Sequence, residues 1–402
     1  MQIGDLVENG PQEQDGDTLR GLLSSKTVMI TGAGGSIGSE LARQVVKLGP
    51  GRLLLIERSE FALFNIDREL RESGTEAVLV PLVADVGDQS RMRRIFETHS
   101  PNVVLHAAAH KHVPLMEFNV AEAVKNNCIG ADVIGRIAGE AGADVFLLIS
   151  TDKAVRPVSI MGATKRLAEL IIQDLNRQFP TKYISVRFGN VIGSTGSVMP
   201  IFQQQISAGG PVTITHPGMA RYFIPVSEAA ELALQAAAIG KGGDVLVVDM
   251  GEPVLIVDLA ERLIKQAGLR PYQDIQIVFT GIRPGERLVE EIQTDSARLG
   301  PTGHPKLHSD RAEYRGHETS APGPGIEDGA KFSPGQDRHS ITELAIAASD
   351  GDEATLRTLL SDLIPEAELG MQPSYHAAGE PLSTTSGDHD LGDQKSRALV
   401  TA

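Results

Sequence analysis

Cysteine is nearly absent from this 402-residue sequence: its single thiol, Cys128, has no partner for an intrachain disulfide, so the fold must rest on its core. Cys128 lies in an apolar helical pattern, where a thiol serves as a small packing group. Positive charge is also in deficit. There are 37 Lys and Arg against 52 Asp and Glu, a net charge of −15, which argues against nucleic-acid binding because no basic face can be read from it. Small anions would have to be held by a few placed cations, helix N-termini and backbone amides. No stretch approaches the roughly 20 apolar residues of a membrane-spanning helix. The first twenty residues lack the basic start and apolar centre of a secretory signal, so a cytoplasmic chain without a membrane span is expected. With one cysteine and no carboxylate cluster of ligand spacing, no metal site is predicted. No internal repeat is found.

What the sequence does have is an ordinary apolar share, 41%, and enough length for one large α/β domain or two unequal lobes. Residues 1–20 read as a disordered acidic lead-in. Short apolar runs at 27–30, 52–56, 78–83, 103–106, 145–150 and 183–187 alternate with helical patterns, as strands of a parallel sheet covered on both faces would. Between the first two, Ile37, Leu41, Val45 and Leu48 recur at helical spacing and Gly49-Pro50 closes the segment. The predicted fold class is therefore α/β, a Rossmann-type doubly wound parallel sheet over about 21–190. A smaller C-terminal substrate-binding lobe is expected over about 191–310, with helices near 227–239 and 256–267. From 311 a polar linker, a helix pair at about 340–362 and a disordered tail are expected.

Thr31-Gly32-Ala33-Gly34-Gly35-Ser36-Ile37-Gly38 follows the first predicted strand and opens the first helix. A dinucleotide pyrophosphate meets free backbone N–H groups and the positive helix end at such a turn. Gly32 permits the tight turn, Gly35 leaves space for the pyrophosphate and Gly38 lets helix and strand pack closely. Glu57, just after the second strand, can accept hydrogen bonds from ribose hydroxyls, which favours NAD. Arg58 beside it could instead face a 2′-phosphate, which leaves NADP open. Asp85-Val86 after the third strand either flanks the adenine or caps the helix at 88–97.

The T-G-x-x-G-x-x-G turn followed by His106-Ala107-Ala108-Ala109 resembles the extended short-chain dehydrogenase/reductase superfamily. Five blocks narrow the match: His106 to Glu117 (HAAAHKHVPLME), Ser150 to Glu169 (STDKAVRPVSIMGATKRLAE), Arg187 to Ser194 (RFGNVIGS), Gly243 to Leu263 (GDVLVVDMGEPVLIVDLAERL) and Gly281 to Glu291 (GIRPGERLVEE). In this order they resemble the polysaccharide-biosynthesis dehydratases of the capsular and flagellin-glycan type, over most of residues 26–310.

The resemblance implies a UDP-N-acetylglucosamine 4,6-dehydratase, a homo-oligomer with a UDP-N-acetylhexosamine substrate. Such an enzyme moves a hydride from sugar C4 to the nicotinamide, eliminates water across C5 and C6, and returns the hydride to C6. Thr151, Asp152 and Lys153 follow the fifth strand, at the edge where open α/β sheets place ligands. Lys153 is assigned as the base at C5, Asp152 as the acid at the C6 hydroxyl and Thr151 as a partner of O4. Met161 and Lys165 lie i,i+4 on the next helix. Most of the superfamily has tyrosine at the Met161 position, and a thioether cannot relay the O4 proton. That task would pass to Asp152 or Thr151, while Lys165 binds the nicotinamide ribose. Arg283 first, then Arg221, are assigned to the diphosphate. By resemblance Asn190 contacts the diphosphate or sugar and Glu286 the uridine ribose, and Lys111 and His112 could reach the sugar or nicotinamide. Two other readings stay open: a nucleotide-sugar 4-epimerase, and a non-catalytic dinucleotide sensor that has lost its tyrosine.

Overall fold

A computed structural model of the protein describes residues 16–194, 196–292, 299–310 and 337–370. The first element is a helix, α1 (Gly16–Leu23), so order begins within the stretch expected to be disordered. Leu19 and Leu23 explain the difference: both are buried in the core beneath the sheet, an apolar anchor that the acidic composition of the segment conceals. The remainder of the lead-in, 1–15, the linker expected from 311 (here 311–336) and the tail 371–402 lie outside the described residues.

The six apolar runs become β1 (Thr27–Thr31), β2 (Arg52–Glu57), β3 (Val78–Val83), β4 (Val103–His106), β5 (Val145–Ile149) and β6 (Lys182–Arg187). All pair in parallel, in the order β3-β2-β1-β4-β5-β6. The central positions of β1, β2, β4, β5 and β6 are buried because helices cover both faces, whereas β3, at the edge, has no buried residue. These crossovers are α2 (Ser36–Lys47), α3 (Glu60–Glu72), α4 (Gln89–His99), α5 (Val113–Glu117), α6 (Val120–Ala123), α7 (Gly130–Glu140) and α8 (Ile160–Gln178), with a π-helical stretch, Val124–Ile129, joining α6 to α7. Strand order reverses between β1 and β4, where Thr31 is in register with both Ile56 and His106. In open α/β sheets ligands bind at that switch point, outside the carboxyl ends of the strands.

Beyond β6 come β7 (Asn190–Ile192), α9 (Val198–Ser207), β8 (Val212–Ile214), β9 (Ala220–Arg221), β10 (Phe223–Pro225), α10 (Val226–Ile239), β11 (Val245–Val248), β12 (Val254–Leu255), α11 (Ile256–Gln266), β13 (Ile277–Phe279), β14 (Leu299–Pro301) and β15 (Leu307–Asp310). The division expected at 190 is not a clean cut. α10 packs on α2, β11 joins β6 in parallel, and β15 and β14 extend the sheet antiparallel to nine strands. The smaller lobe is built from the pieces between, with its own core of Met199, Phe202, Ile206, Ile214, Leu259 and Leu263.

The expected helix pair is present as α12 (Asp337–Asp350) and α13 (Glu353–Leu363). Leu344, Ala347, Leu356, Leu360 and Ile364 enter the same core cluster as Met161, Leu167 and Ile171 of α8. Among the described residues no helix is long and apolar enough to cross a membrane.

Candidate active site

At the switch point a cleft of about 920 Å³ runs from the glycine turn to the smaller lobe. Gly32, Gly34, Gly35, Ser36, Ile37 and Gly38 line it, and α2, with Gly35 at its N-cap, has no side-chain cap and no acidic residue in its first turn. The helix end is thus open to an anion. Gly32 has φ +65°, and a Cβ there would stand 2.8 Å from Ala108 Cα. A Cβ at Gly38 would fall 2.0 Å from Gly32 O, so the helix presses on the turn itself. Gly34, given no separate task from the sequence, packs against Ala62 and donates to Glu57 Oε2 at 3.1 Å. Glu57 also accepts from Ser59 N–H at 3.0 Å, which fixes its carboxylate at the end of β2. Arg58 is exposed on the cleft wall.

Ala107, Ala108 and Ala109 line the opposite strand end with Lys111 and His112, whose ring packs against Gly196. Beneath them His106 Nδ1 and Thr31 Oγ1 are 2.7 Å apart. Burial, reinforced by the charge of Lys165, pushes the His106 imidazole down to about 3, so this contact is made by a neutral ring. Val86 lines the cleft, whereas Asp85 is exposed outside it and accepts from Gly87 N–H. The cap considered for Asp85 is supplied by Asp88, which accepts from Arg91 N–H at 2.9 Å. An Asx cap needs the residue immediately before the helix, and the helix starts at Gln89.

Thr151 and Lys153 line the cleft, while Asp152 is buried behind them. Asp152 Oδ1 accepts from Thr151 Oγ1 at 2.8 Å and from Lys153 Nζ at 2.9 Å, and its Oδ2 is enclosed without a hydrogen-bond partner. Lys153 Nζ also donates to Asn190 Oδ1 at 3.1 Å. Met161 and Lys165 share a face of α8, are 4% and 5% exposed, and both reach the cleft. Burial pushes the Lys165 ammonium down to about 8, with Glu169 and Cys128 pulling it partly back. Burial would raise the Glu169 carboxyl, but Arg187, Arg166 and Ser150 outweigh it and hold it below the usual carboxylate range. One turn beyond Lys165, Glu169 takes 2.8 and 2.6 Å bonds from Arg187 and a 2.5 Å bond from Ser150.

On the substrate side Arg283 and Glu286 both line the cleft, but they bind each other at 2.6 Å. Arg221 also lines it, 7% exposed, and donates to Ala220 O and Leu288 O at 2.7 and 3.0 Å. It therefore fastens the 283–290 loop to β9. Glu290, in the same cleft, was not singled out from the sequence. It is 3.7 Å from Arg221, and burial, opposed by Lys153 and reinforced by Asp152, raises its carboxyl above the usual range. Asn126, on the π-helical stretch, is a second unforeseen lining residue. Both stand within apolar or mixed runs where spacing alone carries no signal. Among the described residues no group of three His, Cys, Asp or Glu stands together as metal ligands would.

This chain is similar to known proteins. Residues 28–311 match the family described as polysaccharide biosynthesis protein. The capsular polysaccharide biosynthesis protein CapD of Staphylococcus aureus is 49% identical over 294 residues, 73% of this chain and 49% of that protein. The chain spans about half the length of the curated relatives of this kind that it matches. The X-ray structure of Pen from Bacillus thuringiensis superposes with a TM-score of 0.66 at 30% identity, over 72% of this chain and 89% of that one. A dTDP-glucose 4,6-dehydratase, DesIV of Streptomyces venezuelae with NAD and TYD bound, has a TM-score of 0.58 at 18% identity over 66% and 88% of the two chains, a likeness of fold alone. Taken with the nine-stranded sheet and the glycine turn at its switch point, these matches show that the chain belongs to the family of polysaccharide biosynthesis proteins.

Proposed function

We propose that the protein is a nucleotide-sugar 4,6-dehydratase that converts UDP-N-acetylglucosamine, or a close relative, to a UDP-4-keto-6-deoxy-N-acetylhexosamine for surface polysaccharide synthesis. The observation that carries this reading is Lys153, held between Asp152 and Asn190 in the same cleft as Lys165 and the open glycine turn.

The residues present fit NAD. The uncapped end of α2 and the turn at 32–38 suit a pyrophosphate, Glu57 suits adenosine ribose hydroxyls, and buried Lys165 suits the nicotinamide ribose. When bound, a nicotinamide supplies the hydride acceptor for C4 and the donor for C6. Glu57, fixed by Gly34 and Ser59, favours NAD over NADP.

The protein moves two protons. Thr151 Oγ1 passes the O4 proton back to Asp152, whose enclosed carboxylate cannot touch the sugar directly. Lys153 Nζ, as the base, takes the C5 proton as the C6–O bond breaks. The proton stored on Asp152 returns through Thr151 to the departing C6 oxygen, which leaves as water. Lys153 then gives its proton to C5. Protons and hydride balance, and the sugar loses one water. Met161 takes no proton and fills the space beside Lys165.

Incubation of the full chain with UDP-N-acetylglucosamine and NAD tests this by mass spectrometry. A product lighter by one water, with no accumulation of free NADH, is expected. A product of unchanged mass with C4 inverted would make the protein an epimerase, and no turnover with cofactor bound would make it a sensor.

A further inference from the structure

Glu117, at the end of α5, is a carboxylate 3% exposed with partners on two other parts of the chain. Its Oε1 accepts from Ile160 N–H at 2.7 Å, at the first turn of the helix that carries Met161 and Lys165. Its Oε2 lies 3.2 Å from Arg357 Nη2 on α13, and the same nitrogen donates to Glu117 O at 2.8 Å. Arg357 Nη1 reaches on to Gly370 O at 3.1 Å. A third segment rests on the same carboxylate. Gly285 has φ +76°, and a Cβ there would stand 2.9 Å from Glu117 Oε1 and 2.9 Å from Ser159 Cβ. The backbone between Arg283 and Glu286 is therefore seated directly on Glu117 and on the residue that caps α8.

The surrounding contacts converge on the same corner. Arg287 donates to Arg156 O at 2.6 Å, Arg156 pairs with Glu291, and Glu368 N–H donates to Pro157 O at 2.9 Å. The lead into α8 is thus gripped by the 283–291 loop from one side and by the segment after α13 from the other.

A buried carboxylate keeps its place only while its charge is balanced and its lone pairs are used. Without Arg357, Glu117 keeps one amide bond and an uncompensated charge. The group must then turn toward water, and Gly285 lies against it with no spare room. A shift of the carboxylate is a shift of the loop.

We propose that Glu117 is a positioning residue, held by Arg357 of the C-terminal helix pair, that seats the 283–286 loop for the nucleotide diphosphate of the substrate. The proposal rests on the nucleotide-sugar reading above and gives the helix pair, which lies beyond the family match at 28–311, a part in substrate binding.

The test uses the full chain and UDP as probe, titrated by calorimetry, with KM and kcat for UDP-N-acetylglucosamine alongside. Arg357→Gln and Glu117→Gln should each weaken UDP binding and raise KM by roughly five- to tenfold, the scale of an indirect coupling. Both should leave kcat within about twofold and cofactor retention unchanged. The double variant should be no weaker than either single one, because both cut one chain of contacts. Arg357→Lys should recover part of the loss. Glu366→Gln serves as the control, since it cuts a separate tie of this segment, 3.0 Å from Arg166, without touching Glu117. Unchanged UDP affinity in folded Arg357→Gln, or an equal loss in Glu366→Gln, overturns the proposal while the substrate reading stands. Failure of UDP to bind the wild-type chain overturns both.

Discussion

Asn190 Oδ1 accepts from Lys153 Nζ at 3.1 Å, so a residue expected on the diphosphate or sugar orients the candidate base. β7, which carries Asn190, is paired with β10, and this small sheet brings the smaller lobe up to the Thr151–Lys153 turn.

Lys153→Ala should abolish dehydration, with a loss of roughly 10²-fold or more in kcat, the scale of a missing general base. UDP-sugar and cofactor should still bind, because the base acts after docking. Asn190→Ala should cost less, about tenfold, since Asp152 still holds Lys153 Nζ. Rapid-quench turnover with measured binding constants checks both, and near wild-type kcat in Lys153→Ala would remove it from the mechanism.

Lys165 carries a stability cost of its own. Its folded value, about 8, lies below the ordinary 10.5, so the buried charge destabilises the cofactor-free protein below pH 8, and the cost fades between about pH 8 and 10.5. Lys165→Met should therefore be more stable than wild type at pH 7, on the order of 1–3 kcal/mol, with the difference vanishing near pH 10.5. Activity should be lost. Urea unfolding of both proteins at pH 7 and pH 10 provides the comparison, and a less stable variant at pH 7 would contradict it.

His106 acts on the acid side. With a folded value of about 3 against an ordinary 6.5, the unfolded chain binds the extra proton between those pH values. Stability is complete above 6.5 and falls as pH drops toward 3, by up to about 1.4 kcal/mol per pH unit from this one group. His106→Gln, which does not titrate and can still meet Thr31, should show a shallower acid limb. Parallel limbs in the two proteins would show that His106 is not the source.

Much of the fold can be read from the chain because six strands are uninterrupted apolar runs, long enough to stand out from the helical periods between them. Val245–Val248 is equally buried but stands in a Gly-rich stretch just after Gly242-Gly243, and Leu307–Asp310 has just one apolar side chain, so the return of the chain to the main sheet was not legible. The glycine turn and Thr151–Lys153 were legible because their parts are contiguous. Glu117, Glu290 and the Lys153–Asn190 bond were not, since each depends on residues far apart in sequence. Arg221, expected as a cation for a phosphate, lines the cleft and also holds the 283–290 loop through two carbonyls, a task that spacing did not show.

Met161→Tyr should leave kcat unchanged or lower. Met161 is 4% exposed within the core shared with α8, so a tyrosine overfills a space shaped by a thin, flexible side chain and adds no group the proton route needs. Steady-state rates between pH 6 and 10 decide this. A gain of tenfold, about 1.4 kcal/mol off the barrier, would show that the wild-type chain lacks an efficient acceptor for the O4 proton.

In the proposed reaction Lys153 exchanges the C5 proton while the C6 hydroxyl leaves, and proton NMR of the reaction with UDP-N-acetylglucosamine in D2O reads both events at once. A new methyl signal at C6 beside a hydrated 4-ketone is expected, with solvent deuterium at C5 and the cofactor returned to its oxidised form. A C4-inverted sugar that keeps its C6 hydroxyl and has no deuterium at C5 would contradict it.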